Sequence, residues 1–478
     1  MSIDKPEEFD LIILGRGAAA FSAAIKASEL TSGQATIAMT GTGPLGGTCV
    51  NVGCVPSKYL VEAAKSKIEG ERQKYPGIIR GKGSLKFDEL MGSLRSVVES
   101  ERTEKYENVI RNYPNIKVFD GRASFTDPFT VEIINGNGRE SIRGFNFLLA
   151  TGSSPVVPDI PGLADAGFLT SNNIWEINRI PGRLAIIGGG FIALELGQSL
   201  QRLGSHVTII KEHSSISKVM DPEFQMAMIN TLQEEGVEFL TGVRVLSVKR
   251  TATGKVLTFS SGDRKIEREF DEILISRGRK PNVAGLNLEK AGVEFSERGV
   301  RTDPYMRTSN ERIYAAGDVV DQRYQLETLA AREGSIAVSN IYSPEKMKIE
   351  LNLIPWAIFT EPQYASVGLT EKMANDMGIN CTCRTLKIED VPKGRILHSH
   401  NGLFRIIADP ENGKVLGIEI LAPYAAEMIM EGVHLIRNGS NLEDLVQTTH
   451  VFPTVAEGIK LTAQSFFRDM SKMSCCME

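Results

Sequence analysis

The chain has 478 residues, and 54 basic against 59 acidic residues give it a formal net charge of −5. Such a balance creates no overall field that would attract nucleic acid or an anionic membrane surface. With 42% hydrophobic and 24% charged residues, the composition is that of a globular protein. No apolar run approaches the roughly 18 residues of a membrane span, and the N-terminus lacks the apolar core of a signal peptide. We therefore expect a cytoplasmic protein with no nucleic-acid or membrane partner.

An apolar run near the N-terminus ends in a glycine-rich turn. Gly15 and Gly17 are followed by Ala20 and an alanine-rich stretch to about Leu30. This G-x-G-x-x-A pattern is typical of a dinucleotide-binding turn, in which the first glycine allows the turn and the second lets the backbone approach a pyrophosphate. The small third residue lets the helix pack closely on the strand. The next strand, predicted over residues 35–39, is followed by no acid that would hold a ribose.

The same design recurs about 170 residues later, with Gly188, Gly190 and Ala193. Two copies indicate two nucleotide-binding domains, which would suit an electron-transfer enzyme. In the segment that follows, Lys211 stands where an NAD-type site carries an acid, and a cation there can accept a 2′-phosphate. The sequence thus favours NADPH, with NADH possible. The alternative is that Lys211 is only a solvated strand end.

Six cysteines are too few to stabilise a chain of this length by disulfide bonds. Their arrangement in three close pairs instead indicates redox or metal chemistry. Cys49 and Cys54 are separated by four residues that include Gly53. In a glycine-containing loop that leads into a helix, their Cα atoms can come within the disulfide range of about 4.4–6.8 Å. A helix N-terminus would lower a thiol pKa, and Lys58 lies one turn further on. The alternative is a pair of buried packing cysteines.

The other two pairs lie near the C-terminus. Cys475 and Cys476 are adjacent thiols close to the chain end, an arrangement that suits a soft metal ion. The alternative is a tail that merely contains cysteines. Cys381 and Cys383 have the spacing of one strand face. They could bind a metal, but an ordinary interface strand is the favoured interpretation.

These motifs together resemble the pyridine nucleotide–disulfide oxidoreductases. The likeness rests on both glycine turns, the C-x4-C segment, ATG at 150–152, AAGD at 315–318 and TEPQYASVGLTE at 360–371, and it covers nearly the whole chain. It implies an α/β fold with two Rossmann-like domains, for FAD and NAD(P)H, and a C-terminal α+β dimerisation domain. The expected parts are the FAD-binding domain (1–155), the NAD(P)H-binding domain (156–282), a return to the FAD domain (283–349) and the dimerisation domain with its cysteine tail (350–478).

The resemblance also implies roles for particular residues. Hydride would pass from nicotinamide through flavin to the Cys49–Cys54 disulfide, with Cys54 facing the flavin and Cys49 exchanging with substrate. Lys58 and Glu195 match positions that the family pairs near the flavin. The residues expected to contact the two cofactors are Gly15, Gly17, Ala20, Gly47, Thr48, Lys58, Thr151, Gly152, Gly188, Gly190, Lys211, Gly278, Arg279, Gly317 and Asp318.

One departure narrows the substrate class. Members that reduce organic disulfides carry a histidine–glutamate dyad near the C-terminus, but here Phe452 stands in the histidine's place, while Glu457 is present and His450 is two residues early. Phenylalanine transfers no proton, so reduction of an organic disulfide is disfavoured. Phe452 departs even from the mercury(II)-reducing members, where a tyrosine is common.

With its terminal Cys475–Cys476, the chain nevertheless looks most like those mercury(II)-reducing members. They imply Hg²⁺ as substrate, bound by Cys475, Cys476, Cys49 and Cys54 and passed inward by ligand exchange. Glu457 would assist, small-molecule thiols would carry the metal, and the enzyme would be a homodimer. The alternatives are a dihydrolipoamide dehydrogenase-like or glutathione reductase-like enzyme, and a soft-metal sequestering protein without turnover.

Overall fold

The computed structural model describes residues 5–81, 83–136, 138–213, 215–217, 220–262 and 264–472. The predicted tail site at Cys475 and Cys476 lies outside the described residues. None of the described helices is both long enough and apolar enough to cross a membrane.

The first part of the chain builds a sheet with helices packed on it. The strands are β1 (Glu7–Leu14), β2 (Ile37–Gly41), β3 (Ile116–Asp120), β4 (Arg122–Asp127), β5 (Thr130–Asn135) and β6 (Gly138–Leu149). The helices are α1 (Ala18–Leu30), α2 (Gly47–Val52), α3 (Cys54–Glu71), α4 (Phe87–Arg102) and α5 (Asn108–Ile110). The strand order is β3-β2-β1-β6-β5-β4, with parallel pairing from β3 to β6. The strand predicted at 35–39 is wrong by two residues at each end, because β2 stays in register with β3 as far as Gly41.

The second part repeats the parallel design in a smaller sheet. Its elements are β7 (Ser153–Pro155), α6 (Leu163–Ala166), β8 (Arg183–Ile187), α7 (Phe191–Leu203), β9 (His206–Lys211), α8 (Pro222–Glu234), β10 (Glu238–Thr241), β11 (Val243–Arg250), β12 (Lys255–Ser261), β13 (Arg264–Phe270), β14 (Glu272–Ile275) and β15 (Arg279–Pro281). The parallel order is β10-β9-β8-β14, and β11, β12 and β13 form an antiparallel sheet. The connecting strands β7 and β15 pair with each other.

The chain then returns to the first sheet. The elements of this part are β16 (Phe295–Ser296), β17 (Gly299–Val300), β18 (Ile313–Ala315) and α9 (Glu327–Tyr342). Strand β18 pairs in parallel with β6, and α9 packs along α1.

The last part is an antiparallel sheet with helices on it. Its elements are β19 (Trp356–Ile358), β20 (Gln363–Gly368), α10 (Glu371–Asp376), β21 (Thr382–Lys387), α11 (Pro392–Ile396), β22 (Leu403–Ala408), β23 (Val415–Ala422), α12 (Ala425–Arg437), α13 (Leu442–Gln447) and α14 (Glu457–Gln464). The strand order is β19-β20-β23-β22-β21. The predicted fold class, two Rossmann-like units and an α+β unit, is confirmed.

The two glycine turns have the same steric cause. Gly15 has φ +148°, and a Cβ on it would lie 2.0 Å from the carbonyl oxygen of Ala150. Gly188 has φ +126°, and a Cβ there would lie 1.9 Å from the carbonyl oxygen of Ser276. In each unit the turn therefore passes so close to the backbone following a neighbouring strand that only glycine fits. The third positions of the two patterns, Ala20 and Ala193, are fully buried against their strands.

Candidate active site

A cleft opens where the carboxyl ends of the first sheet meet α2, α3 and α7. It consists of two adjoining cavities of about 650 Å³ and about 290 Å³. The walls that the two cavities share are Gly17, Thr48, Val52, Ala150, Gly152 and Ser153. The larger cavity also borders Gly15, Gly47 and Thr151, and the smaller one borders both thiols of the C-x4-C segment.

The N-terminus of α1 faces the larger cavity. Its N-cap residue is Gly17, and no side chain caps the helix. The first-turn N–H groups are thus available to phosphate oxygens. Gly47 lies directly against this turn, since a Cβ on Gly47 would come 2.6 Å from the Cα of Gly17. This uncapped, side-chain-free cradle fits the pyrophosphate of a dinucleotide such as FAD.

Arg16 lines the larger cavity beside Gly41, at the end of β2, where the sequence has no acid. Its side chain lies across Gly41, and a Cβ on Gly41 would come 3.0 Å from Arg16 Cγ. The guanidinium donates to the carbonyl oxygens of Gly43 (2.9 Å) and Phe119 (2.7 Å) and pairs with Asp120 (2.6 Å). The sequence pattern gave no signal for this residue, because the motif leaves its position free.

Cys49 and Cys54 lie on two consecutive helices. Cys49 is within the short helix α2, and Cys54 is the first residue of α3. The predicted loop placement of Cys49 is therefore wrong, because Gly46 and Gly47, both with positive φ, turn the chain into a helix before it reaches Cys49. Gly53 separates the helices in a tight space, where a Cβ would lie 2.9 Å from the carbonyl oxygen of Thr48. Both cysteines are free thiols on the wall of the smaller cavity.

The two thiols differ in how readily they lose a proton. The hydrogen bond from Cys49 lowers the pKa of Cys54, and the positive charge of Lys58 lowers it further, although burial opposes both. The same hydrogen bond, together with burial, raises the pKa of Cys49. The arrangement therefore favours a thiolate at Cys54 and a thiol at Cys49.

Lys58 and Glu195 are brought together beside the thiols, as the resemblance implies. Lys58 Nζ lies 2.6 Å from Glu195 Oε2 and 4.5 Å from the centre of the Phe359 ring. The other carboxylate oxygen of Glu195 accepts the Phe359 N–H at 2.9 Å. Glu195 is only 6% exposed, so these two donors replace water as its hydrogen-bond partners.

The N-terminus of α7 repeats the phosphate-ready geometry of α1. Gly190 is its N-cap residue, again with no side-chain cap, and the space where its Cβ would stand is open. Lys211 ends β9 beside Gly189, and its Nζ donates to the carbonyl oxygen of Ser215. Burial lowers the pKa of Lys211. The acid that follows, Glu212, is paired with Arg277 (3.1 Å) and Arg244 (3.6 Å).

The remaining predicted contact residues gather at the seam between the two units. Arg279 Nε donates to Ser153 Oγ at 2.7 Å, and Ser153 Oγ donates to Asp318 at 2.6 Å. Thr151 Oγ1 donates to the carbonyl oxygen of Asn282 at 2.8 Å. The predicted residues that line the smaller cavity are Gly17, Cys49, Thr48, Cys54, Lys58, Gly152, Glu195, Arg279, Gly317 and Asp318. The carbonyl of Gly278 accepts the Val156 N–H at 2.9 Å, at the start of the crossing back to the first sheet.

Glu457 is not brought to the cavity of its own chain. Its carboxylate accepts the Thr454 N–H at 3.1 Å, and His450 Nε2 lies 3.0 Å from Glu431. Phe452 is 55% exposed. The smaller cavity instead holds Glu327, which the sequence reasoning missed. Its negative charge disfavours a thiolate at either cysteine, but the hydrogen bond from Cys49 still leaves the pKa of Cys54 lowered. An acid in the first turn of a helix is common, so nothing in the pattern singled it out.

The chain is similar to several known proteins along nearly its whole length. It is 37% identical to a mercuric reductase of Staphylococcus aureus over 477 residues, covering 100% of this chain and 86% of that one. It is 36% identical to a mercuric reductase of Streptomyces lividans, covering 98% of both chains. Among solved structures, the Cu(II) complex of the HOCl-induced flavoprotein disulfide reductase RclA from Escherichia coli superposes with a TM-score of 0.84 at 25% identity, covering 97% of this chain and 100% of that one.

Two family profiles match consecutive parts of the chain. The profile described as pyridine nucleotide-disulphide oxidoreductase matches residues 9–334, and the profile of that family's dimerisation domain matches residues 354–463. The first match alone covers more than half of the sequence and includes both glycine turns and the C-x4-C segment. The chain therefore belongs to the pyridine nucleotide-disulphide oxidoreductase family.

Proposed function

We propose that the protein is a mercury(II) reductase, which uses FAD and catalyses NADPH + Hg²⁺ → NADP⁺ + H⁺ + Hg⁰. The observation that carries the proposal is the Cys49–Cys54 dithiol beside the Lys58–Glu195 pair, in a chain whose position 452 holds phenylalanine. The relatives named mercuric reductase support the same reaction.

Membership of the family implies FAD and a pyridine nucleotide as cofactors. The residues that would hold FAD are those around the uncapped α1 N-terminus and along the two cavities, chiefly Gly15, Gly17, Gly47, Thr48 and Gly152. When bound, FAD supplies two-electron transfer between the nicotinamide and the acceptor at the thiols. The pyridine nucleotide would lie on Gly188 and Gly190, and Lys211 supports NADPH over NADH since it can accept a 2′-phosphate.

The dithiol suits a soft metal ion better than it suits an organic disulfide. Thiolates bind soft cations in preference to oxygen or nitrogen ligands. Cys54 offers a thiolate to Hg²⁺, and Cys49 completes the site by losing its proton. No step of this binding needs a protonated leaving group, so the absence of an imidazole at Phe452 does not impair it. Neutral mercury has little affinity for thiolate and would leave the site.

We propose that Cys475 and Cys476 pass Hg²⁺ from small-molecule thiols to Cys49 and Cys54 by ligand exchange. Exchange between dithiols keeps a tightly bound ion moving without releasing it. The dimerisation-domain match supports a homodimer. Glu457 stays a predicted site residue. We propose that the domain boundaries lie at residues 155, 282 and 349. We also propose that the protein acts in the cytoplasm.

The second candidate is a soft-metal sequestering protein without turnover. It is disfavoured because a metal sink needs neither the paired Lys58 and Glu195 nor two intact glycine turns. A lipoamide- or glutathione-type reductase is disfavoured by Phe452.

Steady-state kinetics separate these candidates. Purified holoenzyme should oxidise NADPH continuously when Hg²⁺ and excess small thiol are present, and mercury vapour should collect above the solution. A stoichiometric burst that then stops would favour the sink. Ready turnover of lipoamide or oxidised glutathione, without metal vapour, would favour a disulfide reductase.

A further inference from the structure

A second pair of thiols lies on the dimerisation domain. Cys381 Sγ and Cys383 Sγ are 4.0 Å apart, both residues are half-buried, and both thiols are free. We propose that they form a two-coordinate binding site for a soft cation of the class Hg²⁺ or Cu⁺, separate from the catalytic dithiol.

The separation of the two sulfurs suits a bridging ion. A thiolate–metal bond of about 2.3 Å places sulfurs on opposite sides of one ion up to about 4.6 Å apart. The observed separation of 4.0 Å is close to that limit, so small side-chain rotations would admit the ion. A disulfide instead needs sulfurs about 2.05 Å apart, which would pull this pair together by about 2 Å.

The backbone resists that approach. Cys383 is in β21, hydrogen-bonded in register opposite Ile407 of β22, and Cys381 immediately precedes the strand. Residues two apart on an extended strand hold their Cα atoms about 6.6–6.8 Å apart, at the upper edge of the disulfide range. Strand pairing therefore holds Cys383 in place and keeps the pair at the limit of what a disulfide can span.

The charges around Cys383 favour a cation. Its charged neighbours are Glu371, Arg405 and Arg384, whose guanidinium donates to the Cys383 carbonyl oxygen at 3.1 Å. Arg405 is already occupied, since its guanidinium lies 2.8 Å from Asp221 and 3.1 Å from Glu371 and also contacts Glu223. Three carboxylates thus surround the Arg405 guanidinium, and with Arg384 counted they still exceed the positive charges by one, which favours a positive ion.

The ligand number selects the class of ion. Within the described ranges, no group of three or more His, Cys, Asp or Glu side chains could hold a metal. A structural zinc site needs four protein ligands, so Zn²⁺ is disfavoured here. Hg²⁺ and Cu⁺ accept two thiolates, and binding replaces two S–H bonds with two S–metal bonds while two protons go to solvent. No electron is transferred.

The site is distinct from the catalytic cleft. Among the described residues, none from β21 or β22 lines the smaller cavity. Arg405 Nε donates to Thr385 Oγ1, which puts Thr385, and with it Cys383, on the sheet face that meets Asp221 of the second unit. The proposal therefore does not rest on mercury reductase activity.

The test uses the full-length holoenzyme with Cys49→Ser, Cys54→Ser, Cys475→Ala and Cys476→Ala, which leaves Cys381 and Cys383 as the only two of six cysteines. Retained FAD absorption checks its fold. Mercuric chloride is added with excess glutathione, and native mass spectrometry and thiol titration follow binding. We expect one mercury per chain and protection of both thiols.

Adding Cys383→Ser should lower retained mercury at least about tenfold, because chelation is lost. Thr382→Ser, on the opposite face of the strand, is the matched control and should retain the ion.

Three results would overturn the proposal: no retained mercury, a loss of both free thiols before metal is added, or retention that Cys383→Ser leaves unchanged. Should the four-fold variant fail to keep FAD, the wild-type protein and Cys381→Ser/Cys383→Ser are compared instead. The wild type should bind one more mercury per chain, with Hg²⁺-dependent NADPH oxidation equal in both; equal binding would refute the site.

Discussion

Lys58 Nζ lies 2.6 Å from Glu195 Oε2, an ion pair that joins α3 to α7 at the wall of the thiol-lined cavity. The second oxygen of the same carboxylate accepts the Phe359 N–H, next to β19. One buried side chain of the second unit is thus bonded to the first unit and to the dimerisation domain. This carboxylate therefore links all three parts of the chain beside the thiols.

Replacement of Lys58 by methionine should destabilise the protein. Glu195 is 6% exposed and would be left with only the Phe359 N–H as donor. Losing a hydrogen bond to a charged group costs about 1.5–3 kcal/mol, and because the Lys58 side chain is 33% exposed we expect the lower end. Denaturant unfolding at saturating FAD measures the effect, with Lys58→Arg as the control that keeps the charge. Equal midpoints for Lys58→Met and wild type would contradict the assigned pair.

Cys54 should be the sulfur that carries the thiolate in the two-electron-reduced enzyme. A thiolate beside oxidised flavin gives long-wavelength absorption, which Cys49→Ser should keep and Cys54→Ser should lose. Because the pKa of Cys54 is lowered, the absorption should persist below the pH at which an ordinary thiol gains its proton, and it should disappear as the pH falls through the lowered value. Lys58→Met should move this loss to higher pH, since a positive charge that lowers the pKa is removed. A Cys54→Ser protein that kept the band would show that the sulfurs are assigned the wrong way round.

Lys211 should determine the choice of pyridine nucleotide. With Lys211→Glu, a carboxylate would repel the 2′-phosphate of NADPH and accept hydrogen bonds from the ribose of NADH. We expect kcat/KM for NADPH to fall about 10–100-fold, the equivalent of about 1.4–3 kcal/mol, and the value for NADH to rise. Lys211→Gln separates loss of the cation from gain of the acid. An unchanged ratio of the two kcat/KM values would mean that Lys211 only caps its own turn through Ser215.

The terminal cysteines should matter for delivery of the metal and not for reduction of the flavin. In Cys475→Ala/Cys476→Ala, turnover of glutathione-bound Hg²⁺ should fall at least about tenfold, since a chelating pair competes with free thiol and no chelate remains. Stopped-flow reduction of FAD by NADPH should be unchanged. The matched control is Cys381→Ala/Cys383→Ala, which removes a cysteine pair outside the proposed relay. Wild-type turnover in the tail variant would remove the tail from the mechanism.

Local sequence predicted the parts of the site that depend on local backbone geometry. Gly15 and Gly188 could be recognised because close approach to a neighbouring carbonyl leaves room for no side chain, and that requirement shows in the pattern itself. The backbone conformation around Cys49 was harder to predict from the sequence. Whether a short segment between glycines is loop or helix depends on the signs of φ at Gly46 and Gly47, which composition does not reveal.

Contacts between segments that are distant in sequence could not be predicted from the residue patterns. Lys58 and Glu195 are 137 positions apart, and only the family resemblance paired them. Glu327 lines the cavity because α9 packs along α1. No sequence motif indicates this tertiary contact. The ring of carboxylates around Arg405 arises in the same way, from the packing of two domains.

The side chain of Arg16 connects the carboxyl ends of three adjacent strands of the first sheet. It extends from the turn after β1, crosses Gly41 at the end of β2, and bonds to Phe119 and Asp120 at the end of β3. All of these bonds lie within the polypeptide, so the conformational entropy of ordering this rim is lost during folding and not when a ligand binds in the cavity. This end of the larger cavity is thereby preorganised, and an acidic residue introduced at position 41 would have to displace the Arg16 side chain before it could extend into the cavity.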